Sequence, residues 1–155
     1  MNIPSTINLK ISVPADQDGF ISLKCPFCGE MFKLNSDEIN SQWHINTWCP
    51  KCGIRSNHLW DDDTNHKMNE MVENKLNELT NQIQDVFAKT LSGKNVSFKP
   101  GRRAKVKTVT PIVPKTANLE LIYFSCCKLT GKVKPILKFS GCYCPYCGEI
   151  DDGTN

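Results

Sequence analysis

The sequence has no apolar run that approaches the roughly 18 residues of a membrane-spanning helix, and its mean hydropathy is −0.37. A membrane-spanning protein is therefore not expected. The opening residues 1–13 lack a basic start followed by an apolar stretch, so we expect no secretory signal there. Aromatic residues make up only 8% of the 155 residues. A length of 155 residues is enough for one ordinary domain, or for two small ones with small cores.

Familiar catalytic motifs are also missing. The chain contains no G-x-S-x-G, no phosphate-binding loop, no H-E-x-x-H and no glycine-rich dinucleotide loop. The acidic run 61–63 could be taken for a Mg²⁺ site. It is more simply explained as the start of a helix, because acidic side chains interact favourably with the positive end of the helix dipole. We therefore expect a protein that is not an enzyme.

Cysteine, in contrast, is abundant. The chain has nine cysteines, an odd number, and most of them are grouped in C-P-x-C-G motifs. This grouping favours metal binding over disulfides. Thiols that must stay reduced require a reducing compartment, so the sequence predicts a cytoplasmic protein.

Charge is unevenly distributed along the chain. Residues 94–138 carry eleven basic residues and one acid, whereas residues 1–93 carry eight basic residues and twelve acids. The segment 94–118 has no acid and contains three prolines, which predicts a basic linker. Such a segment is typical either of a surface that contacts phosphate or of a solvated linker.

Two motifs near the N-terminus have the spacing of a structural zinc site, namely C-P-F-C-G at 25–29 and C-P-K-C-G at 49–53. Two cysteines separated by two residues can turn both sulfurs to one side of a tight loop. The proline stiffens that loop, and the final glycine permits the positive φ that closes it. Four thiolates complete a tetrahedron and leave no open position for catalysis. The predicted ligands are Cys25, Cys28, Cys49 and Cys52.

The cysteines near the C-terminus are less regular. C-P-Y-C-G at 144–148 repeats the motif, and its partners must come from Cys126, Cys127 and Cys142. Adjacent cysteines in a flat strand would point to opposite faces, but a kink before the next turn could direct both inward. We favour two ligands from each arm of a hairpin, and sets that include Cys142 are the alternative. The favoured ligands are Cys126, Cys127, Cys144 and Cys147.

These knuckles resemble those of zinc ribbons, a superfamily found in transcription factors, RNA polymerase subunits and ribosomal proteins. The resemblance covers residues 20–60 and 119–149. It implies two ribbon-like β units, each with one structural zinc ion. The adjacent cysteine pair departs from the usual two-knuckle pattern. The knuckles are also similar to those of rubredoxins, where four cysteines hold one iron, but the basic, two-ended layout does not match those compact acidic chains.

A long helix is predicted between the two ribbons. Residues 61–91 contain neither proline nor glycine and are rich in helix-forming residues. Apolar residues recur at 72, 76, 79, 83 and 86, which places one apolar stripe along the helix. We expect Leu76, Leu79 and Ile83 to be buried within the chain.

Strands are predicted at Phe20–Lys24 and Leu119–Phe124, with a turn at 130–132 and a returning strand at Val133–Phe139. The predicted fold is therefore α+β, with two small zinc-ribbon-like antiparallel β units joined by one long amphipathic helix. The predicted domains are an N-terminal ribbon (1–60), the helix (61–93), the basic linker (94–118) and a C-terminal ribbon (119–155).

The basic linker is the main indication of function. Its basic residues could follow a phosphate backbone, and its single aromatic residue, Phe98, could stack on a base. The sequence therefore predicts a zinc-dependent nucleic-acid-binding protein of a regulatory kind, with DNA or RNA as the partner. The predicted contact residues are Lys94, Phe98, Lys99, Arg102, Arg103, Lys105 and Lys107.

A second hypothesis is a non-catalytic adaptor or scaffold subunit that binds other proteins through its ribbons and helix. The apolar stripe of the helix could pair with a partner helix, or with the same helix of a second copy. The stripe spans only about two heptads, so packing within the chain is the simpler expectation.

Overall fold

The computed structural model describes residues 9–41, 44, 46–91 and 98–153. Over these residues the fold is α+β, with small antiparallel sheets and one long helix, which confirms the predicted fold class. The N-terminal elements are β1 (Phe20–Lys24), β2 (Met31–Asn35), α1 (Ser36–Ile39), β3 (Thr47–Trp48) and β4 (Arg55–Ser56), followed by α2 (Asp62–Thr90). The C-terminal elements are β5 (Glu120–Phe124), β6 (Leu129–Val133), α3 (Pro135–Ser140), β7 (Cys142–Tyr143) and β8 (Ile150–Asp151).

The chain divides into two compact units, each made from two stretches of sequence. The ribbon unit consists of Val13–Thr64 and Ile112–Asn155, and the helix unit of Met1–Ser12 and Asn65–Pro111. Helix α2 begins in the ribbon unit and continues in the helix unit. Both cysteine-rich ends of the sequence therefore belong to the same unit.

The two ribbons share one sheet. Its strand order is β1-β2-β6-β5, and the central pair is antiparallel, with Lys33 opposite Lys132 and Leu34 opposite Gly131. Each ribbon contributes its apolar side chains to one common core, so both bury more apolar surface than a single small hairpin could. The buried members from this sheet are Ile21, Leu23, Phe32, Leu34, Ile122, Phe124 and Val133.

The two ribbons repeat the same order of elements, since β1-β2-α1-β3-β4 corresponds to β5-β6-α3-β7-β8. Their first turns close in the same way: the Gly29 N–H donates to the Cys25 carbonyl at 3.0 Å, and the Lys128 N–H donates to the Phe124 carbonyl at 2.8 Å. This register makes Lys132 the equivalent of Lys33. Because these two equivalent residues pair with each other, an approximate two-fold axis passes between them.

The predicted return strand at Val133–Phe139 is wrong. The chain returns earlier, as Leu129–Val133, and residues 135–140 form helix α3. The turn forms directly after the cysteine pair because Lys128 adopts a positive φ of 58°. Pro135 starts the helix, since its fixed φ suits the first helical turn and its missing N–H costs nothing there.

The start of helix α2 agrees with the acidic helix start predicted at residues 61–63. The Asp61 carboxylate accepts hydrogen bonds from the backbone N–H groups of Asp63 and Thr64, at 3.1 and 3.2 Å. Burial of this carboxyl alone would raise its pKa, but Lys115, Thr64 and the helix N–H groups lower the pKa to about 2. The acid therefore caps the helix as a carboxylate.

The predicted burial of the helix stripe is wrong. Leu76 is 55% exposed and Ile83 is 42% exposed, and Leu79 is half-buried. Among the described residues of α2, only Thr64 is buried. The apolar stripe therefore faces solvent over most of its length.

A largely buried ion cluster joins the two halves of the sheet. The Asp16 carboxylate accepts hydrogen bonds from Lys33 Nζ at 2.8 Å and Lys132 Nζ at 3.2 Å. Burial would raise the pKa of this carboxyl, but the two lysines and the Phe20 N–H hold it well below its usual value. Asp16, together with Asp18, which also pairs with Lys132, thus offsets the repulsion between two lysines that face each other across the two-fold axis.

We expect Asp16→Asn to lower the free energy of unfolding by about 3 kcal/mol at pH 7, because it leaves the buried Lys33 ammonium without its counter-charge, whereas Lys132 keeps its ion pair with Asp18. The Asp16 pKa is lowered in the folded state, so its contribution is complete above the unfolded pKa and is lost as pH falls through the folded pKa. Chemical denaturation should therefore show a constant difference between the two proteins from pH 6 to 8. A difference that shrinks within that range would contradict the assignment.

Candidate metal centres

The structure brings eight of the nine cysteines together in two groups, and within each group the sulfur atoms all lie within 4.8 Å of one another. The first cluster lies between the β1–β2 turn and the β3–β4 turn, and the second lies between the equivalent turns of the other ribbon. The first cluster consists of Cys25, Cys28, Cys49 and Cys52, and the second of Cys126, Cys127, Cys144 and Cys147.

The spacing of the sulfurs fits a tetrahedral metal. With a zinc–sulfur bond of about 2.3 Å, the sulfurs of a tetrahedron lie about 3.8 Å apart. The Sγ–Sγ distance is 3.7 Å between Cys25 and Cys52 and 3.4 Å between Cys126 and Cys147. All nine cysteines are free of disulfides. Each cluster could therefore hold one metal ion, as zinc-ribbon-like knuckles do.

Backbone N–H groups stabilise the first cysteine of each regular knuckle. Cys25 Sγ accepts hydrogen bonds from the N–H groups of Phe27 and Cys28, and Cys49 Sγ accepts from those of Lys51 and Cys52. Burial raises the pKa of the Cys49 thiol far above its ordinary value. Four thiolates cannot stay charged at this site without a cation, which is the condition that a structural metal satisfies.

The second cluster has one regular knuckle and one irregular one. Cys144 Sγ accepts the N–H groups of Tyr146 and Cys147, as in the first cluster. In the other knuckle Phe124, fully buried, occupies the place of Cys25. The adjacent Cys126 and Cys127 supply the sulfurs instead, and burial raises the pKa of Cys127 to about 12. The kink predicted for this pair is the Lys128 turn.

Cys142 lies outside both clusters. It is only 4% exposed and packs within the apolar core of the ribbon unit. Burial, together with the charge of Asp151, raises the pKa of its thiol to about 11. The ninth cysteine therefore resides in the structure as a small apolar side chain.

The second knuckle of each ribbon, at 49–53 and at 144–148, packs against the other reciprocally. The Trp48 N–H donates to the Pro145 carbonyl at 3.0 Å, and the equivalent Tyr143 N–H donates to the Pro50 carbonyl at 2.9 Å. Gly53 and Gly148 both have positive φ, and a Cβ on either would lie within 2.9 Å of the aromatic ring of Tyr143 or Trp48, respectively. Each metal knuckle thus supports the other across the two-fold axis.

The basic residues predicted to contact nucleic acid differ in whether an acidic side chain already pairs with them. Lys99, Arg102 and Lys105 are exposed and have no ion-pair partner among the described residues. Arg103 forms an ion pair with Asp85, and Lys107 Nζ lies 3.4 Å from Glu73.

The two remaining predicted contact residues are Phe98 and Lys94. The Phe98 ring centroid lies 6.0 Å from that of Phe87, and Phe98 is half-buried rather than displayed for stacking. Lys94 lies outside the described residues.

Three helix asparagines hold the basic segment. The Asn74 amide exchanges two hydrogen bonds with the backbone of Lys107, at 2.7 and 2.8 Å, and the Asn81 amide exchanges two with Ala104, both at 2.9 Å. The Asn77 amide donates to the Lys105 carbonyl at 2.9 Å. The sequence reasoning missed these asparagines, although their spacing of three and four residues already places them on one helix face.

Comparison with protein-family models, with curated proteins and with solved structures finds no match to this chain. The fold and the two tetracysteine clusters therefore define the class by themselves: a protein with two zinc-ribbon-like units in one sheet. Among the described residues, no helix has both the length and the apolar character needed to cross a membrane.

Proposed function

We propose that this protein is a non-catalytic, zinc-dependent nucleic-acid-binding protein of a regulatory kind, working in the cytoplasm. In this proposal each tetracysteine cluster holds one Zn²⁺ as a structural ion. Four sulfur ligands per ion leave no open position for a substrate or water, so the metal supplies stability rather than chemistry.

The observation that carries the binding proposal is the placement of Lys99, Arg102 and Lys105. The asparagine contacts hold the backbone at Ala104–Lys107 against α2, so Lys105 projects from a fixed segment and loses little entropy on binding. Cations that are already exposed and unpaired can contact phosphates without first breaking an ion pair. Contacts of this kind are made mainly to the phosphate backbone and predict weak sequence preference.

The chain offers a matched pair of variants for testing this. Arg102→Gln/Lys105→Gln and Arg103→Gln/Lys107→Gln each remove one arginine and one lysine charge from the same segment. We expect the first to weaken binding and to reduce the log–log salt slope by about 1.8 on duplex DNA, since each lost phosphate contact removes about 0.9. The second should change the slope much less, because Asp85 and Glu73 already neutralise its cations.

Fluorescence anisotropy at low salt, with duplex DNA, single-stranded DNA and RNA, measures these effects. Equal losses in both variants would show that the contact is not localised at Arg102 and Lys105. No binding by the intact protein to any of the three probes would overturn the nucleic-acid proposal.

A specific observation also favours the second candidate, an adaptor that binds another protein. The asparagine face of α2 is covered by the basic segment, and the apolar stripe lies on the opposite side, with Ile83 about 200° around the helix from Asn81. Leu76 and Ile83 are exposed there. If the anisotropy titration shows no nucleic-acid binding, this exposed stripe makes the adaptor the better proposal.

A further inference from the structure

The two metal clusters differ at one knuckle, and the register of the two-fold repeat shows how. Phe124 stands in the place of Cys25, Cys127 in that of Cys28, and Cys126 in that of Phe27. One sulfur has therefore moved from the first position of the turn to the third.

This shift changes the hydrogen bonding of the sulfurs. In the first knuckle the N–H groups at the third and fourth positions donate to Cys25 Sγ. In the shifted knuckle those N–H groups belong to Cys126 and Cys127, and the Phe124 ring at the first position offers them no sulfur. Hydrogen bonds to a thiolate stabilise its charge and make it a weaker nucleophile. The sulfur displaced from the first position loses this stabilisation.

The same shift places a sulfur at the tip of the turn. Phe27, at the equivalent position of the first ribbon, is 62% exposed, and Cys126 is likewise exposed. Cys28, the exposed cysteine of the first cluster, differs because its sulfur accepts the N–H of Glu30. Cys126 thus combines exposure with a position away from the converging N–H groups of the turn.

We propose that Cys126 is a modification site, at which a peroxide oxidises the second cluster before the first and links Cys126 to Cys147. The sulfur that completes this step is Cys147 Sγ, which lies 3.4 Å from Cys126 Sγ. The inference rests on the metal centres of the proposed function and not on its nucleic-acid contact.

The chemistry uses one peroxide molecule. The Cys126 thiolate attacks a peroxide oxygen, the O–O bond breaks, and the departing hydroxide takes a proton to become water. Cys147 then attacks the sulfur of the resulting sulfenic acid, the S–O bond breaks, and a second hydroxide is protonated to water. The two thiolates lose two electrons and the peroxide gains them. The second cluster keeps only two thiolates and releases its metal.

The test begins by measuring the metal content of the full chain, which the metal proposal puts at two ions. Hydrogen peroxide is then added, metal release is followed with a chromogenic chelator, and differential alkylation with mass spectrometry identifies the oxidised cysteines. One metal should leave on the order of tenfold faster than the other, since each missing N–H bond changes thiolate nucleophilicity about threefold. The first disulfide should join Cys126 and Cys147, and a dithiol with added zinc should restore the cluster.

A rebuilt knuckle provides the matched variant. Phe124→Cys/Cys126→Ser returns the sulfur to the first position, and its second cluster should release metal as slowly as the first. If this variant fails to fold, the mapping in the unmodified protein still decides the matter. Oxidation of the first cluster at an equal or higher rate, or a first disulfide without Cys126, would overturn the inference. Metal content below two at the start would instead overturn the metal proposal, and this inference with it.

Discussion

Removing the metal is expected to unfold the ribbon unit. Structural zinc contributes roughly 10 kcal/mol or more of apparent binding energy at a tetracysteine site, which is comparable to the whole stability of a small domain, about 5–15 kcal/mol. In this chain both clusters anchor turns of the same sheet, and the knuckles at Pro50 and Pro145 support each other. Loss of either metal should therefore destabilise both ribbons.

Elemental analysis and thermal melts before and after chelation measure this effect. Metal should also be lost as pH falls, because the thiolates must be deprotonated to bind it. Cys25→Ser should reduce the metal content to one, whereas Cys142→Ser, a buried cysteine outside both clusters, should keep two. A chelated protein that retains its melting transition would refute the prediction, and visible absorption with a red colour would indicate iron instead of zinc.

Phe124→Ala is expected to lower the free energy of unfolding by about 3–5 kcal/mol, the usual cost of truncating a large buried aromatic residue. Phe124 is fully buried, and its ring lies 6.3 Å from that of Tyr146 in an edge arrangement. A Cβ on Gly131 would lie 3.2 Å from the Phe124 ring, so the neighbouring strand is already close and cannot easily collapse into the cavity.

Tyr123→Ala is the matched control, since Tyr123 is the preceding residue of the same strand and is 52% exposed. We expect it to cost less than about 1 kcal/mol. Urea denaturation of the metal-loaded proteins compares the two variants. Similar losses for both would show that Phe124 does not carry the core contact assigned to it.

The position of Phe124 also shows why the irregular knuckle was difficult to interpret from the sequence. A C-x-x-C motif is visible because both sulfurs lie in one short turn. Here the turn is the same, but its first cysteine is replaced by a core residue and its glycine by Lys128. The correspondence between this turn and the Cys25–Gly29 turn is seen only in the structure, where the Lys128 N–H donates to the Phe124 carbonyl as the Gly29 N–H donates to that of Cys25.

Local patterns determined much of this protein. The C-P-x-C-G knuckles, the long helix from about residue 61 and the strand Phe20–Lys24 were all predicted, because each depends on residues close together in the sequence. The partner of that strand, Met31–Asn35, was not predicted. The first predicted set of four cysteines relied on the same local spacing, whereas the second relied on taking two ligands from each arm of a hairpin. The structure brings the sulfurs of both sets together.

Contacts between distant residues were decided only by the tertiary structure. The pairing of Lys33 with Lys132, almost a hundred positions apart in the sequence, depends on Asp16 and on a shared core that neither hairpin pattern contains. The apolar stripe of α2 has the periodicity of a buried face, yet three asparagines on the other side hold the basic segment, because amide groups can satisfy an extended backbone that apolar side chains cannot. Sequence periodicity determined that the helix has two faces, and tertiary hydrogen bonding determined which of them is covered.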